Sequence, residues 1–233
     1  MPCLYDFGII YKDYKDTEFQ RITRIVYCID YQEYIIIYNE PLKKMEKFVY
    51  NLKRSGINKD DIDVILNEGS IQKYKKGDVF SHVGRRWDKM GILFNGLLGG
   101  WYIDDNAEKR YGHFYLYPEN DVVVDYESYV TDVKTTLTIE ALSDCEILVY
   151  DREKIIELKL KFPNLFNAEK NLAEEKYLQT QKLLNMFQTC NGVDRIRYLQ
   201  KYAPDLFKKI PYTYIASFLG LHRNGFANAL KRL

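Results

Sequence analysis

The final stretch of the chain, Ile210 to Leu233, reads IPYTYIASFLGLHRNGFANALKRL and leaves few ways to fold. Ile215, Ala216, Phe218 and Leu219 fall on one face of a short helix. Ala216 is small, as a residue must be where a second helix crosses close by. Gly220 suits a turn that needs positive φ. Phe226, Leu230 and Leu233 then give an i, i+4, i+7 apolar stripe for a second helix, running from Leu221 to Leu233. This is the pattern of a helix-turn-helix. The other face of the second helix carries His222, Arg223, Asn224, Asn228, Lys231 and Arg232. A helix with an apolar back and a front of Arg, Asn and Lys fits the major groove of duplex DNA. Asn bonds adenine bidentately, Arg bonds guanine, and Lys neutralises phosphate. The competing reading is a two-helix corner with a solvated basic face. Gly225 weighs on that side, costing a helix interior roughly 1 kcal/mol relative to Ala. No β-wing follows the second helix in this sequence.

Composition bounds the rest. A chain of 233 residues holds one large domain or two smaller ones. Its formal net charge is +1, so any contact with DNA must come from a local basic patch. The 21 tyrosines argue for a folded, strand-rich protein. Cys3, Cys28, Cys145 and Cys190 are scattered with no CxxC pair, which indicates neither a zinc ribbon nor an iron–sulfur cluster. They read as reduced thiols. The opening MPCLYDFGIIYKDYKD has acids and Tyr where a secretory signal has a basic end and an apolar core. No apolar run approaches the ~20 residues that span a bilayer. The expectation is a cytoplasmic protein with no membrane partner.

Residues 1–44 contain the Tyr/Ile-rich runs FGIIYKDY, RIVYCIDY and YIIIYNE. They form either a small strand-like extension or an upstream overrun of a chain that begins at Met45, and no chemistry is assigned to them. From Met45 the pattern is orderly. MEKFVYNLKRSG is a short amphipathic helix with Phe48, Val49 and Leu52 on one side. NKDDIDVILNEGS is a second, with Asn58 as N-cap, an acidic first turn, and Ile62, Ile65 and Leu66 inward.

Residues 71–150 alternate short β runs with turn signals, which reads as a barrel or sandwich. The runs are IQKY, DVFSHV, GILFNGLLGGWYI, YGHFYLY, DVVVDY, TLTIEAL and CEILVY. KKGD and FNG are turn-like, and DDNAEK is a polar hairpin tip. DREKIIELKLK then turns helical, and Pro163 starts the next helix. Residues 164–189 give the longest helical pattern. Phe166, Ala173, Tyr177, Leu184 and Phe187 form one stripe; Leu165, Leu172, Leu183 and Met186 form its neighbour. Two adjacent stripes let one side pack on the barrel and the other on a second helix, so a dimer seam is favoured over a helix folded back on its own domain. Asn191–Gly192 reads as a hinge-like break. VDRIRYLQKY follows as a helix with Val193, Ile196, Leu199 and Tyr202 inward.

Helices, β-barrel, long helix, hinge, helix-turn-helix: this order resembles the Crp/Fnr family of bacterial transcription regulators, with its cyclic-nucleotide-binding-type sensor. The resemblance covers roughly residues 45–233. Its carriers are the turn glycines of KKGD (Gly77), HVG (Gly84) and FNG (Gly96), the strand pair TLTIEALSDCEILVY, and IASFLGLHRNGFANALKRL. It implies an α+β fold, with a double-stranded β-helix or jelly-roll sensor barrel (residues 45–160), a long dimerisation helix (161–190) and an all-α helix-turn-helix domain (191–233). It also implies a homodimer that sets two recognition helices in successive major grooves of a palindromic site, with RNA polymerase among the candidate partners. By position, the base-reading places fall on Arg223, Asn224 and Asn228, and the phosphate-facing places on His222, Gly225 and Lys231. Only Arg223 keeps the usual type. The family has Glu where Asn224 stands and Arg where Asn228 stands, so the half-site read should differ, favouring adenine at two positions.

The sensor departs further. Cyclic-nucleotide binders place a Gly-Glu pair and an Arg-Ser or Arg-Thr pair around the cyclic phosphate. Here VVVDYESYVTDVKTTLTIEA puts Asp125, Tyr126 and Glu127 near the Glu place, and Thr135 and Thr136, with Lys134 beside them, where the Arg pair would be. Without a guanidinium fork the expected effector is an unidentified small molecule other than cAMP, or the pocket is filled by apolar side chains. Neither a cofactor nor a metal is expected. Cys3 and Cys28 alone hold no iron–sulfur cluster, and His82 and His113 read as surface or core histidines rather than haem ligands. Two other classes compete with a non-enzymatic regulator. A cupin-like barrel enzyme needs several His and carboxylate ligands at the barrel mouth, and the chain has three His in all. A ligand- or protein-binding module that has lost DNA recognition is kept in view by Gly225 and the two Asn replacements.

Overall fold

Leu93, Ile147 and Val149 face one way and Ile92, Phe94, Leu148 and Tyr150 the other, yet all seven are buried. Strands covered on both faces read as unbroken apolar runs, which is why GILF and ILVY do not alternate. A computed structural model describes residues 46–103, 109–117, 119–204 and 206–233. The extension at residues 1–44, Met45, Cys3, Cys28 and most of the DDNAEK tip lie outside the described residues, as do the side chains of His113 and Tyr202.

Among the described residues two helices come first, α1 (Glu46–Arg54) and α2 (Lys59–Asn67). Asn58 caps α2 as the sequence indicates, its side chain accepting from the Asp61 backbone N–H at 2.9 Å. Eight strands follow: β1 (Ser70–Tyr74), β2 (Val79–Ser81), β3 (Lys89–Asn95), β4 (Leu98–Ile103), β5 (Lys109–Tyr117), β6 (Val122–Val123), β7 (Thr138–Ala141) and β8 (Cys145–Asp151). They make two antiparallel four-stranded sheets, ordered β1-β8-β3-β6 and β2-β7-β4-β5. Ile92 lies opposite Leu148 and Leu93 opposite Ile147, so cross-strand partners share a face. The turn between β3 and β4 needs glycine: Gly96 has φ +103°, and a Cβ there would stand 2.4 Å from the Asp144 carbonyl oxygen.

The space between the sheets is apolar. Phe80, Leu93, Leu98, Val123, Leu137 and Ile139 fill it with others of their kind. The outer face of the β1-β8-β3-β6 sheet carries a second core shared with the helices.

One helix was not legible in advance. DVVVDY reads as a strand, but pairing stops after Val123 and Asp125 caps α3 (Tyr126–Thr131). Its carboxylate accepts from the backbone of Glu127 and Ser128, and α3 ends in a left-handed Asp132 with φ 58°. Beyond β8 come α4 (Arg152–Lys161), α5 (Leu165–Thr189), α6 (Gly192–Tyr202), α7 (Leu206–Lys209), α8 (Tyr212–Phe218) and α9 (Arg223–Leu230). In one stripe of α5 Met186 is buried and Leu165, Leu172 and Leu183 are half-buried; in the other Phe166, Tyr177 and Leu184 stand exposed while Ala173 and Phe187 are half-buried.

The chain breaks between α5 and α6 at Asn191–Gly192, where Asn191 is the N-cap of α6. Asn191 accepts from the backbone N–H groups of Val193 and Asp194 at 2.9 and 3.1 Å. Gly192 lets Leu221 come close, within 3.1 Å of where a Cβ would sit. The fold is α+β throughout, with the terminal helices sharing a core with Leu97 and Leu142 of the strand region.

Candidate nucleic-acid interface

The turn between α8 and α9 is built from backbone alone. Leu221 N–H bonds the Ala216 carbonyl at 2.8 Å, and Gly220 N–H bonds that of Ser217 at 3.0 Å. These are the 6→1 and 5→2 bonds of a Schellman motif, with Gly220 at the left-handed position, φ 64°. Ile215, Ala216, Phe218 and Leu219 are all buried, as their spacing indicates. Tyr212 at the start of α8 sets its ring edge against Phe226, centroids 5.7 Å apart, which fixes how the two helices cross.

His222 starts α9. Its Nδ1 accepts from the Asn224 backbone N–H at 3.3 Å, so the ring works as an N-cap and presents its other nitrogen outward. Phe226 and Ala229 are buried and Leu230 is half-buried. Lys231 is the C-cap, so the helix stops short of Leu233, which is 45% exposed and takes no part in the core. The third member of the expected apolar stripe is therefore replaced by Ala229.

All six candidate contact residues are exposed: His222, Arg223, Asn224, Asn228, Lys231 and Arg232. Asn224, Asn228 and Lys231 follow each other at helical spacing opposite Phe226, and Arg223 flanks them at the N-terminal end. Among the described residues none of Arg223, Lys231 or Arg232 has a carboxylate partner. From Leu206 to Leu233 the chain has five basic side chains and no acid, although the whole is nearly neutral. This gives the local basic patch that a net charge of +1 leaves room for. A Cβ on Gly225 would meet nothing within 4 Å, so the folded chain itself does not require glycine there.

Arg195 of α6 holds the assembly in place, a role its sequence position does not reveal. Its guanidinium donates to the carbonyls of Phe187 at 2.9 Å, Cys190 at 3.1 Å and Leu219 at 3.1 Å, and it stacks over the Phe187 ring. The end of α5, through Phe187 and the C-cap Cys190, and the C-cap of α8 are thus tied to one side chain of α6.

The six residues expected around an effector are not gathered into one pocket. Asp125 is buried, with one carboxylate oxygen capping α3 and the other without a partner among the described residues. The Thr135 hydroxyl closes a turn on the backbone of Leu137, at 3.2 and 3.1 Å. Glu127, Lys134 and Thr136 point to solvent. Tyr126 faces a different space, on the outer side of the sheet, beneath α5. Among the described residues, the core side chains between the sheets are apolar. His82 is exposed. Among the described residues no group of three or more His, Cys, Asp or Glu is placed to hold a metal, and no helix is long and apolar enough to cross a membrane.

No protein-family model and no curated protein matches the sequence. Solved structures do match. The c-di-GMP-responsive global regulator CLP of Xanthomonas campestris superposes with a TM-score of 0.61 at 14% identity, over 75% of this chain and 91% of that one. A putative transcriptional regulator of the Crp/Fnr family from Eubacterium rectale gives 0.61 at 17% identity, over 76% and 83%. FixK2 from Bradyrhizobium japonicum gives 0.58 at 10% identity, over 71% and 84%. The chain has the Crp/Fnr regulator fold.

Proposed function

We propose that the chain is a DNA-binding transcription regulator of the Crp/Fnr type, acting as a homodimer that lays α9 into the major groove of a two-fold site. The observation that carries this reading is the single exposed face of α9. Asn224, Asn228 and Lys231 stand opposite the buried Phe226, Arg223 leads them, and no acid lies nearby in sequence. Bidentate Asn and Arg side chains read base edges, while Lys231 and Arg232 meet phosphate. The exposed Phe166, Tyr177 and Leu184 of α5 support a dimer, since they are apolar side chains that the described residues leave open. With Thr135 and Thr136 where a guanidinium would be, and apolar side chains between the sheets among the described residues, the proposed effector is not a cyclic nucleotide held there. RNA polymerase is a further candidate partner, and a cytoplasmic setting follows from the role.

A titration against duplex DNA at several salt concentrations tests the reading. Phosphate contacts release counterions, so affinity should fall steeply as salt rises. Affinity that is absent, or independent of salt, counts against it.

A further inference from the structure

We propose that a cavity of about 410 Å³, between the outer face of the β1-β8-β3-β6 sheet and α5, is a binding site for an uncharged, apolar small molecule. Ile92 and Tyr150 form its floor, and Leu172 and Ala173 of α5 its roof. The site lies across the sheet from the space where the effector residues were expected, and Tyr126 is the one member of that group that reaches it.

The chemical class follows from how the few polar groups in the wall are used. Asp121 is buried and paired with Lys176. Lys159 is paired with Glu169 and also donates to the Tyr129 hydroxyl. Burial pushes that hydroxyl well above the usual phenol range, so Tyr129 stays neutral. The Tyr150 hydroxyl donates to the Ile65 carbonyl at 2.9 Å. A charged ligand would have to break one of these arrangements and leave a buried group unpaired, whereas an apolar one would leave them all intact.

Size and access agree. An apolar cavity of about 150 Å³ takes a benzene-sized guest. This one takes a molecule of two to three such rings, or an alkyl chain of similar bulk. Tyr126 and Tyr177, 46% and 62% exposed, stand at the rim as amphipathic rings between solvent and the apolar interior. Because the roof is α5, an occupant would press on that helix, and Tyr177 stands both at the rim and in the proposed dimer seam. Binding itself needs no DNA, so it stands or falls apart from the regulator reading.

The test is a fluorescence titration of the full chain with N-phenyl-1-naphthylamine, an uncharged probe that brightens in apolar surroundings. Saturable binding is expected, displaced by 1-decanol much better than by decanoate. Ala173→Trp should fill the roof and weaken the probe by about tenfold or more, a difference of about 1.4 kcal/mol. Should that variant fail to fold by circular dichroism, Thr180→Phe at the rim makes the same measurement. Three results would overturn the proposal: no saturable binding, as when a second copy seals the cavity; decanoate competing as well as decanol; or a folded filling variant that binds the probe like the parent.

Discussion

The guanidinium of Arg195 donates a 3.1 Å hydrogen bond to the carbonyl of Leu219, the residue that caps α8 ahead of the Gly220 turn. The same side chain bonds Phe187 and Cys190, so the position of the turn into α9 is referred back to the end of α5. A movement of α5 therefore has a direct route to α9.

Arg195→Ala should cost about 2 kcal/mol in denaturant unfolding, the range for hydrogen bonds to a charged donor that leave carbonyls behind. Arg195→Lys should recover little of it, since a point charge on a flexible stem cannot serve three carbonyls at once. DNA affinity should drop in both variants, although Arg195 faces no groove.

Gly225→Ala separates stability from function. The added methyl meets nothing, so α9 should gain roughly 1 kcal/mol in unfolding experiments. DNA binding should nevertheless weaken, because the methyl projects from the exposed side of α9, where the phosphate backbone is proposed to approach. A variant both more stable and equally tight on DNA would remove the close approach from the account.

His222→Ala should destabilise the chain by about 1 kcal/mol through loss of the N-cap, and His222→Ser should restore most of it. Thermal melts of the three proteins decide this. The Ser variant, with the cap restored, also isolates any contribution of the outward ring nitrogen to DNA binding.

Asp132 makes ion pairs with Arg152 at 2.6 Å and Arg86 at 3.0 Å. The hydrogen bond from Arg152 holds its carboxyl below the ordinary Asp range. A depressed carboxyl stabilises the fold above the unfolded-state value and loses that contribution as pH falls through the folded-state value. Asp132→Asn keeps a residue that tolerates the positive φ and removes only the charge. Its midpoint in urea should lie below that of the parent at pH 7, and the gap should close as pH falls below the ordinary Asp range. The pair is solvent-exposed, so the gap should be small.

The terminal helices were legible because each of their signals is local: four apolar residues at helical spacing, a glycine where φ must be positive, and a polar face. The strand region was legible for the same reason, with Gly96 marking the tightest turn. What escaped depended on partners distant in sequence. Val122–Val123 reads as the start of a longer strand until Asp125 is seen capping α3. The break at Asn191–Gly192 is local and legible, but the close approach of Leu221 to Gly192 is not. Thr135 seemed a ligand residue, but its hydroxyl is used by the backbone of Leu137. The cavity under α5 has no sequence signature at all, because its walls come from α1, the strands, α4 and α5 together.

The central proposal is that α9 reads duplex DNA from a two-fold dimer. Selection of bound sequences from a random duplex pool tests it most directly. The expected outcome is an inverted repeat with half-site centres about 10 base pairs apart, lost or altered in sequence when Arg223 or Asn224 is replaced by Ala. A pool that shows no enrichment, or an Arg223→Ala protein that enriches the same repeat with the same affinity, would contradict it.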